Sequence, residues 1–313
     1  MQTIAVVIPT RNRPEKLHKV LTSIANSSVK PRQVVVVSSG ENVQTIIDKF
    51  KESFSITYAH SHVVGQVAQK KLAISMINQD VDWCLFSDDD VIFDSEAIAK
   101  AFEIVNVHDN EEIIGVGFKL PSTSRIIENS VVMQKLSRLF LLDSKKPGRV
   151  LASGHASSYL QQTETTRTEW LNGVSMWRIG FARDYGMNMI STPYAACEDL
   201  IFSYPLSKIG TLLFIPSANV EFQEGELSDF NSWKIFRSAS IWRYYFVCKN
   251  KELSKAAFFW SQIFRTLYFI SHSKENKIKV SLLAAKLNFR IATNALSCRD
   301  PLLTINWLSD EYS

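Results

Sequence analysis

Short and almost uninterrupted apolar runs, each closed by a polar turn, are the sequence feature that most constrains the fold of this chain. Residues 4–8 read IAVVI and end at Pro9, and residues 34–37 are four consecutive valines that end at Ser38. Residues 83–86 read WCLF and lead directly into an acidic turn. Continuous runs of this kind are typical of strands buried on both faces, as in a parallel sheet.

The segments between these runs carry apolar residues at helical spacing. We predict helices over residues 15–25, 43–50 and 66–78, and a short strand over 56–59. Alternating strands and helices with tight turns predict an α/β protein, Rossmann-like, with a mostly parallel central sheet and helices on both faces. Ligands bind such sheets at the carboxyl ends of the strands, so we expect the three polar turns to converge there.

The second half of the chain is less regular. Residues 121–169 lack a clear period and are interpreted as an insertion or flap, whereas residues 211–215 predict another strand. Beyond residue 231 the pattern is helical throughout. We therefore predict one domain over residues 1–230 and a basic, aromatic-rich helical region over 231–313.

Composition limits the class of protein. With 313 residues and 46% hydrophobic residues, the chain is long and apolar enough to fold without disulfides or a structural metal. Its four cysteines lie far apart with no CxxC pair, which favours free thiols in the cytosol. No secretory signal is recognised, and the longest apolar stretch, residues 256–270, is too short and too polar to span a membrane. We predict a cytoplasmic protein.

The positive charge is concentrated in the C-terminal region. Residues 231–313 contain 13 Lys and Arg against 5 Asp and Glu, although the whole chain carries only +4. Basic helices rich in aromatic residues suit an anionic membrane surface, which would make the protein peripheral on the inner face of the cell membrane. The alternative is a helical hairpin packed on the rest of the protein. Nucleic acid fits less well, because no basic recognition motif is present.

Asp88, Asp89 and Asp90 are the most informative polar residues. Three adjacent carboxylates repel one another, so a fold retains them where a cation or solvent relieves the charge. Hard divalent ions prefer such oxygen ligands and bridge them to phosphates. The alternative is a solvated turn, but the position directly after a buried strand favours a metal site.

A second acidic pair, Glu198-Asp199, precedes a predicted helix. These carboxylates either stabilise the dipole of the helix N-terminus or include a general base. Two tryptophans earlier in the chain, Trp170 and Trp177, either stack on a ring of a ligand or pack in the core.

Four motifs, in the same order, resemble family 2 glycosyltransferases with the GT-A fold. The opening strand through Pro9-Thr10-Arg11 resembles the start of that family, and Gly65 with Gln69-Lys70-Lys71 resembles its glycine and small-Arg-Asn helix. The acidic triplet resembles the DxD metal motif. Asn172-Gly173 resembles the glycine on the acceptor side of that family, and Glu198-Asp199 resembles its Glu-Asp motif, the ED block. The resemblance extends from residue 4 to about residue 224.

The resemblance implies an inverting transferase of the bacterial surface-polysaccharide type. It would move a sugar from a nucleotide-sugar donor to a saccharide or lipid-linked saccharide acceptor, in surface polysaccharide or glycolipid synthesis, with Mn²⁺ or Mg²⁺ as cofactor. Residues 1–120 would form the nucleotide-sugar half and residues 121–230 the acceptor half.

The same resemblance assigns roles to individual residues. Donor binding is implied for Pro9, Thr10, Arg11, Ser38, Lys70, Asp88 and Asp89. Metal binding is implied for Asp88 and Asp90. Acceptor binding is implied for Trp170, Asn172 and Gly173. The catalytic pair would be Glu198 and Asp199, with Asp199 as the general base.

Two departures from the family pattern concern the donor site. Many members carry an aspartate after the second strand, where this chain has Ser38-Ser39-Gly40, and a metal-contacting histidine near the position of Phe222. Two other functions therefore remain open. One is a degenerate transferase that serves as a membrane-associated assembly partner. The other is a sugar nucleotidyltransferase, although the glycine-rich loop typical of that class is absent after the first strand.

Overall fold

The computed structural model describes residues 2–108, 112–121, 130–192, 195–223, 232–297 and 299–307. The chain packs into two compact units. The first comprises residues 1–123, 159–193 and 198–225, and the second comprises residues 124–158, 194–197 and 226–313. Each unit is described by itself below. The proposed functional boundaries at residues 120 and 230 stay a prediction.

The first unit is an α/β structure. Its strands are β1 (Ile4–Arg11), β2 (Gln33–Ser39), β3 (Ile56–His60), β4 (Trp83–Phe86), β5 (Val91–Phe93), β6 (Ile113–Lys119), β7 (Thr166–Arg167), β8 (Ser175–Arg178) and β9 (Thr211–Phe222). Its helices are α1 (Pro14–Ala25), α2 (Gln44–Asp48), α3 (Gln66–Ser75), α4 (Ala97–Val107), α6 (Ile179–Asn188) and α7 (Glu198–Leu206). Helix α5 (Val131–Leu139) belongs to the second unit.

The strands form one mixed sheet in the order β3-β2-β1-β4-β8-β6-β9-β5, with β7 paired to β9. Strands β3, β2, β1 and β4 are parallel neighbours, and β6 and β9 run in the same direction as these four. Six of the nine described strands therefore share one direction, whereas β5, β7 and β8 oppose it. The predicted α/β class and GT-A-like sheet are confirmed.

Burial on both faces explains why the N-terminal runs are so apolar. Every residue of β1 from Ile4 to Thr10 is buried, and so is the whole of β2. Their register pairs Val6 with Val34 and Thr10 with Ser38. The hydrophobic side chains fill the space between the sheet and its helices, and apart from Gln33 at the start of β2 the polar positions lie at the carboxyl ends.

Strand β9 is longer than the predicted residues 211–215. Its extension pairs antiparallel with β5, a strand of three residues directly after the acidic triplet. Strand β8 is inserted antiparallel between β4 and β6. Short segments such as β5 and β7 have no recognisable period in sequence, because they are fixed by their partners in the sheet.

The second unit is helical, as predicted for residues beyond 231. Its C-terminal helices are α8 (Trp233–Lys249), α9 (Lys255–His272), α10 (Lys277–Leu296) and α11 (Leu302–Asn306). Phe236 and Phe269 stack with their ring centroids 4.4 Å apart, and Tyr244 donates a hydrogen bond of 2.8 Å to Asn294. Within the described parts of the chain, no helix combines the length and the apolar character needed to cross a membrane.

The insertion of β8 depends on Gly115 in β6. A Cβ at Gly115 would lie 2.7 Å from the ring of Trp177 and 2.9 Å from Leu212, closer than packing allows. We expect Gly115→Ala to lower the free energy of unfolding by about 1–3 kcal/mol through overpacking. The control is Gly180→Ala in α6, where a Cβ would meet nothing within 4 Å. Urea denaturation measures both; equal midpoints for the two variants would contradict this close-packing account.

Candidate active site

The acidic triplet lies in the turn between β4 and β5, at the carboxyl end of β4. Asp88 accepts a hydrogen bond of 2.7 Å from Gln66 Nε2 on α3. Asp89 is buried and accepts a hydrogen bond of 2.7 Å from Thr10 Oγ1 at the end of β1. The predicted convergence of the strand ends therefore brings Thr10 and the triplet together.

Two cations offset part of the triplet's negative charge. Arg13 Nη1 lies 3.1 Å from Asp89 and 3.3 Å from Asp90, and Lys16 Nζ lies 3.9 Å from Asp90. Burial raises the pKa of Asp89, while the bond from Thr10 and the charge of Arg13 oppose that rise. Burial also raises the pKa of Asp88 to about 6, against the opposing charge of Lys70.

Glu198 is engaged at both carboxylate oxygens. Its Oε1 lies 2.6 Å from Lys70 Nζ, and its Oε2 accepts a hydrogen bond from the Tyr185 hydroxyl. Lys70 is completely buried, which by itself lowers the pKa of its ammonium, but the charges of Glu198 and Asp88 outweigh burial and raise it. The structure therefore contains a charged lysine and a carboxylate inside the first unit.

Asp199 is the less constrained member of the acidic pair. Its Oδ1 accepts a hydrogen bond of 2.8 Å from Leu200 N–H, and among the described residues Oδ2 has no hydrogen-bond partner. Burial, followed by the charge of Glu198, raises the pKa of Asp199 to about 6, although the Leu200 N–H and the charge of Lys70 oppose this. At neutral pH this carboxylate is ionised and ready to accept a proton.

A small pocket in the first unit is lined by the acidic pair Glu198 and Asp199 and by Gly173, which lies beside Asp88. Its lining consists of Lys70, Phe86, Leu171, Asn172, Gly173, Ser175, Trp177, Tyr185, Glu198, Asp199 and Phe202. A Cβ at Gly173 would lie 3.5 Å from Asp88 Oδ2, so the absence of a side chain keeps this carboxylate accessible from the pocket. The site brings Asp88, Lys70, Gly173 and Asp199 to one place.

The other predicted acceptor residues lie at the edge of this pocket and have structural contacts. Asn172 donates from Nδ2 to the Phe118 carbonyl at 3.2 Å and accepts from Val174 N–H at 3.0 Å, so its amide stabilises the turn. Trp170 is half-buried, with its ring 5.0 Å from that of Tyr159. Trp177 is buried, so it packs in the core.

The predicted donor residues of β1 and β2 lie along the carboxyl edge of the sheet. Pro9 is buried and Arg11 is exposed. Ser38 Oγ is buried, 2.8 Å from the Tyr58 hydroxyl and 3.1 Å from His60 Nδ1. Ser38, Tyr58 and His60 thus form a polar cluster at the place where many members of the family that the sequence resembles carry a base-contacting aspartate.

The N-terminal half of the chain matches a known family. The sequence model described as "Glycosyl transferase family 2" matches residues 5–162. This chain belongs to glycosyl transferase family 2. No curated protein matches the sequence of this family 2 member.

Solved structures share the fold of this family 2 protein at low sequence identity. TarS residues 1–349 from S. aureus is 13% identical, with a TM-score of 0.55 over 93% of this chain and 81% of that one. The mannosyltransferase PcManGT from Pyrobaculum calidifontis, in complex with GDP-Man and Mn²⁺, is 12% identical, with a TM-score of 0.55 over 98% and 83%. GalNAc-T7 with UDP, GalNAc and Mn²⁺ is 11% identical, with a TM-score of 0.55 over 87% and 56%.

The acidic triplet of this family 2 protein suits a hard divalent cation. Asp88 and Asp90 offer carboxylate oxygens, whereas Asp89 is bonded to Thr10 and Arg13. In the described ranges, no group of three or more His, Cys, Asp or Glu side chains is arranged to hold an ion. The carboxylate oxygens of Asp88 and Asp90 fit Mg²⁺ or Mn²⁺, which proteins commonly hold with one or two carboxylates while phosphate oxygens and water complete the coordination.

Sequence reasoning missed several residues that shape the site. Tyr185, Gln66, Arg13 and His60 all contact predicted site residues. The spacing of Gln66 and Lys70 contained a usable signal, because residues four apart lie on the same face of a helix. No comparable signal exists for Tyr185, which reaches Glu198 through the tertiary fold.

The buried pair of Lys70 and Glu198 yields a stability prediction. Lys70→Met leaves Glu198 buried without its cation, and we expect a loss of about 3–5 kcal/mol in the free energy of unfolding. The double variant Lys70→Met/Glu198→Gln removes both charges and should recover much of this loss. Lys51→Met is the control, because its 2.7 Å pair with Asp48 is exposed and should affect stability little. Urea denaturation would contradict the account if Lys70→Met were as stable as Lys51→Met.

Proposed function

We propose that this chain is an inverting glycosyltransferase that moves a sugar from a nucleoside-diphosphate sugar to a hydroxyl of a saccharide or lipid-linked saccharide. Membership of glycosyl transferase family 2 supports the reaction class. The observation that carries the proposal is Asp199, a pocket-lining carboxylate with a raised pKa and an oxygen that has no hydrogen-bond partner among the described residues. The same pocket is lined by Gly173, which lies beside Asp88. Synthesis of a surface polysaccharide or glycolipid is the context we propose.

Asp199, rather than Glu198, is proposed as the general base. Both oxygens of Glu198 are engaged, one by Lys70 and the other by Tyr185. Glu198 is therefore proposed to hold these two side chains in place and to keep Lys70 charged. Asp199 Oδ2 would take the proton of the acceptor hydroxyl as its oxygen bonds to the anomeric carbon. The bond from that carbon to the diphosphate breaks in the same step, and its electron pair leaves with the diphosphate. Attack opposite the leaving group inverts the anomeric centre.

The donor diphosphate is proposed to bind at the acidic triplet. Asp88 and Asp90 would hold Mn²⁺ or Mg²⁺, which when bound supplies Lewis-acid stabilisation of the charge on the leaving diphosphate. Arg13, exposed over half of its side chain and already beside Asp89 and Asp90, adds positive charge at the same place. Structures with this fold have been solved with GDP-Man and Mn²⁺ and with UDP, GalNAc and Mn²⁺.

The nucleotide is proposed to lie along the carboxyl ends of β1 and β2. Pro9, Thr10 and Arg11 would border it, and Ser38 with Tyr58 and His60 would face the base through neutral donors and acceptors. Trp170, Asn172 and Gly173 are proposed for the acceptor side. Free thiols at Cys84, Cys197 and Cys248 support a location in the reducing cytoplasm.

A catalytically degenerate assembly partner is the second candidate. The observation in its favour is Ser38, which stands where many family members have the base-contacting aspartate. The buried pair at Lys70 and the raised pKa of Asp199 favour an active enzyme instead, since a purely structural unit gains nothing from either.

The base assignment predicts a pH dependence. Proton abstraction requires ionised Asp199, so kcat/KM should fall as the pH drops through about 6. Asp199→Asn should lower kcat by a factor of about 10²–10⁴ and leave donor binding unchanged. Transfer rates measured with a panel of donors and acceptors, together with nucleotide-induced thermal shifts, test both points.

Asp184→Asn is the control for this experiment, because Asp184 lies in the neighbouring helix α6 and does not line the pocket. It should keep both the rate and the acidic limb of the pH profile. An Asp199→Asn variant that transfers sugar at the unmodified rate would refute the assignment of the base.

The donor site predicts linked binding of nucleotide and metal. UDP, GDP, CDP and dTDP are each tested with Mn²⁺, Mg²⁺ or EDTA. We expect one of these nucleotides to raise the Tm of the protein, and only when a metal ion is present. A ligand at a hundredfold excess over its Kd stabilises the native state by about 2.7 kcal/mol, which is several degrees in Tm. Asp90→Asn should lose this shift, whereas Asp94→Asn, an exposed residue after β5, should retain it.

The outcomes separate the candidates. A shift of equal size in EDTA would show that Arg13 and Lys16 suffice for the diphosphate and would contradict the metal assignment. No shift with any nucleotide would favour the degenerate assembly partner.

A further inference from the structure

Helix α10 (Lys277–Leu296) has two apolar faces. An α-helix turns about 100° per residue, which places the buried residues Val280, Ala284, Leu287 and Ile291 on one side. This side packs within the second unit, and Asn294 on it accepts the hydrogen bond from Tyr244. The buried face therefore accounts for the packing of α10 against its neighbours.

The opposite face of α10 carries a second apolar row that is exposed. Ile278, Leu282, Phe289 and Leu296 are 74%, 68%, 69% and 85% exposed, respectively. At about 100° per residue they fall within about 40° of each other and about 180° from the buried face. We name these four residues the outer stripe. Large exposed side chains aligned in this way mark an interaction surface rather than the random scatter found on most proteins.

Basic side chains lie along one border of the outer stripe. Lys279, Lys286 and Arg290 are exposed and fall about 40–80° from the stripe around the helix axis, at about 100° per residue. No acidic residue occurs in α8, α9 or α10, although these helices together contain ten Lys and Arg residues. An apolar row bordered by positive charge, without any negative charge, is complementary to an anionic lipid surface.

We propose that α10 lies in the plane of an anionic bilayer, with the outer stripe inserted between lipids and the flanking lysines on the headgroups. The stripe runs from Ile278 to Leu296, a segment of α10 about 27 Å long at 1.5 Å of rise per residue. A helix of this kind binds along the surface, which agrees with the finding that no described helix is suited to crossing a membrane. This inference does not rest on the proposed sugar transfer.

The basic border of the outer stripe favours a lipid surface over a second copy of this chain as the binding partner. A symmetric dimer through the outer stripe would bring the same patch of both copies together. The basic borders of both copies, with Lys279 and Lys286, would then lie at one interface, and like charges at an interface are unfavourable. An anionic bilayer satisfies both the apolar row and its basic border.

Co-sedimentation of the full chain with liposomes tests the proposal. Vesicles of phosphatidylcholine with 30% phosphatidylglycerol are compared with pure phosphatidylcholine vesicles, at low and high salt. We expect binding to the anionic vesicles that weakens with salt. Leu282→Gln/Phe289→Gln and, separately, Lys279→Gln/Lys286→Gln should each lower the bound fraction at least tenfold.

Matched variants in the first unit are the controls. Val107→Gln/Ile209→Gln removes two exposed apolar side chains of the first unit, and Lys19→Gln/Lys49→Gln removes two of its exposed charges. Both should bind vesicles like the unmodified chain, and thermal unfolding checks that every variant is folded. Absence of binding to anionic vesicles would overturn the proposal. So would a concentration-dependent dimer that Leu282→Gln/Phe289→Gln abolishes without any effect on vesicle binding.

Discussion

The rest of the site depends on the buried ion pair between the Lys70 ammonium and the Glu198 carboxylate. Lys70 is completely buried, 2.6 Å from Glu198, and its charge also acts on Asp88 and Asp199. Without this cation, three carboxylates around one pocket would have to share protons or move apart, because burial penalises each ionised form. A buried ion pair of this kind is weak evidence for stability in itself, since desolvation offsets much of the attraction. Its value here is that it fixes the charge and the position of the carboxylates that we propose for catalysis.

The acidic residues of the site consequently divide into two sets. Glu198 and Asp89 are committed, the first to Lys70 and Tyr185 and the second to Thr10 and Arg13. Asp88, Asp90 and Asp199 keep oxygen atoms available for ligands or protons. Committed carboxylates thus hold the strand ends and helix α7 in place, and available ones perform the proposed chemistry. One acidic motif in the sequence can therefore contain both kinds of residue.

The sequence predicted the N-terminal half of the fold well, for a physical reason. Strands β1, β2 and β4 are buried on both faces, so their composition alone identifies them, and the position of the triplet at a strand end follows. Strands β5 and β7 and the partner of Glu198 were not predictable in this way. Tyr185 reaches Glu198 from a helix 13 positions earlier in the chain, and only the packed structure brings the two together. The preference for Asp199 over Glu198 as the base came from the family resemblance, and the different contacts of the two residues now supply a physical argument for it.

The antiparallel insertion of β8 has a consequence for synthesis of the chain. Strand β4 is complete at residue 86, but its second neighbour in the sheet is formed by residues 175–178. During translation the hydrogen-bonding edge of β4 is therefore open while about ninety further residues are made. Exposed edges of this kind template pairing with other chains, so the nascent protein passes through an aggregation-prone stage that chaperones would shield. A product truncated before β8 would therefore have an open edge at β4 and would lack both Glu198 and Asp199.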